Sequence, residues 1–251
     1  MIGDLAGYVI PTFLLFCRIG GCLLLVPGLA SAQVPMQVRL FIAFAVALTL
    51  APLILDASER SIGEATGGRL IQLIITETLI GVLLGLSVRV FLSALQFMTT
   101  AIGMYIGLGT LPGIPADLDE PLASLSLFIT SVATILFFLL DLHLEVLRGL
   151  VLSYEYLPFG SGIDPGEALE KIASALSRSF LLVLQIGGPF LAYGLIVNLL
   201  FGLVNKMVPQ IPAYFVSIPF LIAGGLSLLY FLLGEMMAVY FAVFRSFIIE
   251  G

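Results

Sequence analysis

The chain has 251 residues, of which 60% are hydrophobic and only 10% charged, against about 45–50% and 25% in an average soluble domain. A soluble core of that length cannot hide so much apolar surface, so the composition reads as an all-α integral membrane protein. A formal net charge of −6 and a pI near 4.7 leave no basic footprint and exclude a nucleic-acid binder.

The first predicted helix covers residues 5–26, with Pro11 in its early part and Pro27 and Gly28 as its stop. Ala30-Ser31-Ala32 imitates a signal-peptide cleavage site. Asp4 stands where a Lys or Arg belongs, however, and Arg18 interrupts the apolar run, so the helix is read as retained. Arg18 at mid-depth is costly unless it faces protein, water or a partner charge. The other reading is an arginine snorkelling from a helix that is not at mid-bilayer. Cys17 and Cys22 face different sides, lack metal-ligand spacing and read as packed thiols. A connector over 31–38, holding Pro35, leads to Arg39 and an apolar run over 40–55. Asp56, Glu59, Arg60 and Glu64 mark a solvated loop over 56–69.

Residues 70–111 are too long for a simple span. As one helix they would reach roughly 60 Å, twice the ~30 Å of hydrocarbon, so the segment either breaks or projects beyond the bilayer. Glu77, Arg89, Gln96, Thr99 and Thr100 lie inside it. Gly81 with Gly85, and Gly103 with Gly107, are small-xxx-small pairs that let helix backbones approach closely.

The chain is organised around the next stretch, 107–121. It holds Gly107, Gly109, Gly113, Pro112, Pro115 and Pro121, which rule out a regular helix, followed by Asp117, Asp119 and Glu120. An irregular loop between two membrane-length helices is tolerated where protein or water surrounds it. It reads either as a plug, filter or ligand site or as a surface turn.

Residues 122–152 are again too long for one span and carry Asp141, His143, Glu145 and Arg148. On one continuous helix Asp141, Glu145 and Arg148 would share a face, with Glu145–Arg148 an i,i+3 pair. A lone histidine reads as a capping or interfacial residue, and no second histidine or metal-spaced cluster accompanies it. A turn is expected over 154–162. Asp164-Pro165-Gly166-Glu167 then opens a short amphipathic helix whose stripe is Ala168, Leu169, Ile172, Ala173 and Leu176. A separate span over 180–204 would kink at Gly187-Gly188-Pro189. After a polar turn over 205–212, residues 213–249 form a two-helix hairpin or one long interrupted helix. In a six-span arrangement Arg60, Arg69, Lys171, Arg178 and Arg245 fall on one side, cytoplasmic with the N-terminus, and Arg39 and Lys206 on the other.

No catalytic motif, metal site or cofactor motif emerges. The residues describe a pore or assembly component, or a small transporter or ion channel with Asp117, Asp119 and Glu120 as a cation site and Asp141 or Glu145 as a relay.

The ordered motifs resemble the FliR family of the flagellar export gate, whose injectisome counterpart is the SctT family. Pro27-Gly28-Leu29 with Val34-Pro35 and Val38-Arg39 is similar to its first connector, and Ile80 to Gly85 to its third-segment signature. Gly103 and Gly107-Leu108 resemble the run into its central loop. Leu142-His143-Leu144 with Leu157-Pro158-Phe159-Gly160 resembles a second pair of signatures. The fullest match is Gly202-Leu203-Val204-Asn205-Lys206-Met207-Val208-Pro209-Gln210, which also favours a flagellar over a virulence system. Leu142 replaces the family's usual Gly and Lys206 its usual Arg; a lysine there cannot make an arginine's bidentate contact.

The resemblance implies a non-enzymatic subunit that joins FliP-like and FliQ-like subunits in a helical, pore-forming assembly of bent helical hairpins. It also implies an FlhB-like switch protein as partner and unfolded exported polypeptides as cargo. The place would be the bacterial inner membrane at the flagellar basal body, with energy from the proton gradient and separate proteins. Residues 1–204 would be FliP-like and 205–251 a FliQ-like hairpin. Gly107, Leu108, Gly109, Leu111, Pro112, Gly113, Ile114 and Pro115 would form a channel plug, its glycines letting it move aside. Arg18, Glu77, Arg89, Lys206 and Gln210 would serve as buried charges and assembly contacts.

Overall fold

The computed structural model describes residues 2–31, 34–58, 67–110, 120–162, 164–210 and 212–250. Its regular structure among these residues is helical throughout: α1 (Ile2–Leu23), α2 (Met36–Ser58), α3 (Gly67–Tyr105), a 3-10 turn (Leu108–Thr110), α4 (Glu120–Leu139), α5 (Leu142–Tyr156), α6 (Pro165–Met207) and α7 (Ala213–Glu250). Four of these helices are long and apolar enough to cross a membrane, or up to five if α4 and α5 together make one broken span, in place of the expected six.

Local sequence explains most of the boundaries. Helix α1 tolerates Pro11, because the rest of its backbone ladder stays closed in apolar surroundings. It ends at Leu23, three residues earlier than expected, and the chain turns through Gly28 at φ 83. Pro35 sets the start of α2. Arg39 then reaches back, donating through Nε to the Val34 carbonyl at 3.1 Å and through Nη2 to that of Ser31.

Of the two readings of the overlong third segment, the unbroken one holds: α3 runs its 39 residues over about 58 Å. Three other segments differ from expectation. The segment 122–152 does break. Asp141 adopts the left-handed conformation at φ 55, ψ 23 between α4 and α5. It therefore does not share a helix face with Glu145 and Arg148. The expected amphipathic helix and the span after it are one helix, α6, of 43 residues. Nothing between Leu176 and Phe180 interrupts its ladder, and Pro189 removes only one donor. Its inward line is Ala168, Ile172, Ala175, Ser179, Leu182, Ile186 and Phe190, while Leu169 and Leu176 are exposed. At the end of the chain, α7 is one helix through Pro219, so no hairpin lies within 205–251.

The chain divides into two compact units, each discontinuous in sequence. One comprises Met1–Phe91, Asp141–Leu176 and Phe247–Gly251; the other Leu92–Leu140 and Ser177–Ser246. In the first, Ala43, Ala47 and Ala51 of α2 are buried at i, i+4 and i+8 and let α1 approach, with Phe16 edge-on to Phe44 at 6.2 Å. Phe91 packs on Phe247 at 4.9 Å. In the second, Leu95, Met98, Ile102, Ile129 and Phe190 are buried, and Phe137 meets Phe244 at 5.9 Å. There α6 and α7 form the hairpin: Tyr193 Oη donates to the Phe220 carbonyl at 2.6 Å, and Phe201 lies 5.7 Å from Phe220.

Candidate functional site

The first unit is built on a close crossing of α1 and α3. A Cβ on Gly81 would stand 2.0 Å from the Arg18 carbonyl oxygen, one on Gly85 2.6 Å from that of Cys22, and one on Gly21 2.8 Å from that of Thr78. Only glycines permit this approach. Glu77 sits one turn before Gly81 on the same face, and Arg18 one turn before Gly21 and Cys22. The crossing therefore delivers the two charges to each other. Arg18 Nε donates to Glu77 Oε2 at 2.6 Å, and both side chains are 0% exposed.

Helix α5 completes the enclosure. Arg18 Nη1 donates to Ser153 Oγ at 3.0 Å, and Ser153 Oγ in turn donates to the Leu150 carbonyl at 2.6 Å. Arg18 Nη2 donates to the Leu157 carbonyl at 3.0 Å, just past the end of α5. There the orphan carbonyls and the helix dipole favour a cation. The Tyr154 ring faces the guanidinium, its centroid 3.7 Å away. Tyr154 packs on Phe159 at 4.7 Å, and Gly160, at φ 80, lets the turn meet Leu73 of α3. Leu157-Pro158-Phe159-Gly160, noted above as a sequence signature, is thus the turn that closes over Arg18. The buried cation has a carboxylate, a hydroxyl, a carbonyl and a ring face. It is a structural tie, with Ser153 engaged both as acceptor and as donor. Sequence reasoning placed Arg18 and Glu77 inside but missed Ser153, Tyr154 and the Leu157 carbonyl. The available signal for the two side chains was their place directly before the Leu-Pro-Phe-Gly turn; the backbone carbonyl left none.

The second unit holds the stem of the central loop. Ile106 and Gly107 are buried, and Gly107 turns the chain at φ 84. A Cβ on Gly194 of α6 would lie 2.9 Å from the Tyr105 carbonyl, and one on Gly225 of α7 2.4 Å from Ile106 Cβ. From the far side, Leu122 of α4 fills the space a Cβ would take on Gly103, at 2.6 Å, and on Gly109, at 3.1 Å. Gly103 and Gly109 are therefore seats for Leu122, and the stem is clamped on both sides. Leu111, Pro112, Gly113, Ile114 and Pro115, like Asp117 and Asp119, lie outside the described residues.

The remaining predicted residues are dispersed. Arg89 is exposed and makes no ion pair among the described residues. It follows Glu77, Gly81 and Gly85 at steps of four, but each step of four rotates a 3.6-residue helix by about 40°. By Arg89 the phase has drifted about 120° from Glu77. Lys206 and Gln210 are exposed at the end of the α6–α7 hairpin, so neither is a buried charge within this chain. Glu145 pairs with Arg148 at 3.1 Å, Asp141 is exposed at the helix break, and His143 is half-buried. Among the described residues, no three His, Cys, Asp or Glu side chains gather as a metal site requires.

The sequence matches the family described as Bacterial export proteins, family 1, over residues 9–247. It is 29% identical over 218 residues to the flagellar biosynthetic protein FliR of Caulobacter vibrioides, covering 86% of this chain and 85% of that protein. The FliR proteins of Aquifex aeolicus and Escherichia coli K12 are each 27% identical. They cover 88% and 81% of this chain, and 84% and 76% of their own lengths. The matched segment contains the α1–α3 crossing, the turn over Arg18 and the clamped loop stem, and with it nearly the whole chain belongs to the bacterial export proteins, family 1.

Proposed function

We propose that this protein is a membrane subunit of a flagellar export apparatus. With FliP-like and FliQ-like subunits it builds a gated channel for unfolded flagellar proteins in the bacterial inner membrane, where it also meets an FlhB-like switch protein. Family membership and the names of the relatives support the export role. The observation that carries the assembly is apolar length. Exposed large apolar side chains run from Leu169 to Met207 on α6, about 57 Å, and from Ile71 to Tyr105 on α3, about 51 Å. A bilayer covers about 30 Å of either. The rest needs protein, and in an apolar setting that means neighbouring subunits. The α6–α7 hairpin is the part we compare with a FliQ-like subunit, and the preceding helices with a FliP-like one. The loop after Gly107 serves as the channel plug, borne on the stem clamped by Gly194, Gly225 and Leu122.

Co-expression with FliP-like and FliQ-like subunits should yield one detergent-stable complex at fixed ratios. A well-folded chain that purifies alone, or only with copies of itself, in their presence would refute the proposal.

A further inference from the structure

We infer that the face of α3 bearing Arg89, Ser93, Gln96 and Thr100 docks a membrane-embedded helix of a partner subunit, and that this helix presents an aspartate or glutamate to Arg89. The inference rests on the multi-subunit reading above and adds a surface and its chemistry.

The four residues recur at i, i+4, i+7 and i+11 and so lie in one line along α3. Arg89, Ser93 and Gln96 are exposed and Thr100 is partly so. Thr100 Oγ1 returns its proton to the Gln96 carbonyl at 2.9 Å, whereas no hydrogen bond or ion pair to a described residue engages the side chains of Arg89, Ser93 or Gln96. Arg89 lies roughly 33 Å from one end of α3 and 24 Å from the other, too far for its side chain to reach either.

Three surroundings compete for this face. Lipid is the least suitable, because an arginine and a glutamine in one line cannot be satisfied by hydrocarbon. Water alone does not suit it either. Phe97 and Met104, 63% and 58% exposed, edge the same face, and Ile71, Ile75 and Leu79 continue it along the helix. A polar line with an arginine, flanked by an exposed phenylalanine and methionine, has the composition of a protein interface. Within apolar surroundings, hydroxyl and amide side chains join helices by hydrogen bonds. Charge decides the occupant. Glu77, the buried acid of the same helix, is bound to Arg18. No described acid pairs with Arg89, so the docked helix supplies its counter-charge.

The test uses the chain co-expressed with FliP-like and FliQ-like subunits. Arg89→Glu should lower recovery of one partner by about tenfold or more, while Arg89→Lys keeps it within about twofold. A photo-reactive residue at Ser93, in an otherwise unaltered chain, should cross-link to one helix of that partner. Replacing the carboxylate of that helix nearest the cross-link by lysine should restore recovery with Arg89→Glu. Undiminished recovery with Arg89→Glu overturns the inference. So does a Ser93 cross-link that reaches only lipid, a second copy of this chain or the exported polypeptide, and that arm holds even if Arg89→Glu misfolds. If the unaltered chain recovers neither partner, the multi-subunit reading falls and takes the inference with it. Recovery with cross-links elsewhere defeats the inference alone.

Discussion

Gly81 lies against Arg18 so closely that a single added carbon would stand 2.0 Å from the arginine's carbonyl oxygen. The backbone contact and the ion pair one turn away therefore depend on each other. Gly81→Ala should force α1 and α3 apart and lengthen the Arg18–Glu77 bond, costing about 3 kcal/mol or more, the upper range of overpacking. Gly20, whose added carbon would meet nothing within 4 Å, is the control. Thermal unfolding of the detergent-purified protein should show a clear fall for Gly81→Ala and none for Gly20→Ala. Equal behaviour of the two variants would contradict the crossing.

The ion pair should show the asymmetry of buried charges. Arg18→Leu or Glu77→Leu alone leaves the other charge stranded and should cost about 3–5 kcal/mol. The double variant removes both charges and should be closer to the unaltered protein than either single one. A double-mutant cycle on thermal stability measures this. Additive losses would mean that the two side chains act separately.

Asp141 offers a test between structure and proton relay. It holds φ 55, a conformation that costs a non-glycine residue about 1–2 kcal/mol. Asp141→Gly should stabilise the protein by about 0.5–1 kcal/mol and leave export unchanged. Lost motility in a stable Asp141→Gly protein would revive the carboxylate as a functional group.

For the loop, deleting 111–115 should raise small-solute leakage through the assembled complex while the subunits still co-purify. Leu122→Ala, which empties the seats against Gly103 and Gly109, should cost about 2–5 kcal/mol by cavity formation. It should also raise leakage in the same assay, because the stem loosens. Unaltered leakage and unaltered export in the deletion variant would remove the plug from consideration.

The sequence already carried much of this arrangement. Arg18 announced its need for a partner, and Gly81 with Gly85 announced a close helix contact. Glu77, one turn before Gly81, could have been matched to Arg18 from helical phase alone. Arg89 reads from the sequence as a third buried charge, and the rotation accumulated along α3 sets it apart. The Leu157 carbonyl was beyond reach, since a backbone group bears no mark in the sequence. The continuity of α6 was obscured for another reason. Gly187-Gly188-Pro189 and the polar cluster before Phe180 are breakers in water, but in apolar surroundings an open backbone costs more than a kinked helix.

Arg18 precedes its carboxylate by 59 residues and its Ser153 contact by 135. At a synthesis rate of about 5–20 residues per second, the cation is made some 3–12 s before the acid that neutralises it. Throughout that interval Arg18 lacks its counter-charge, a costly state in apolar surroundings. The pair can close only once α3 has been made, so α1 depends for its settled place on a helix synthesised after it.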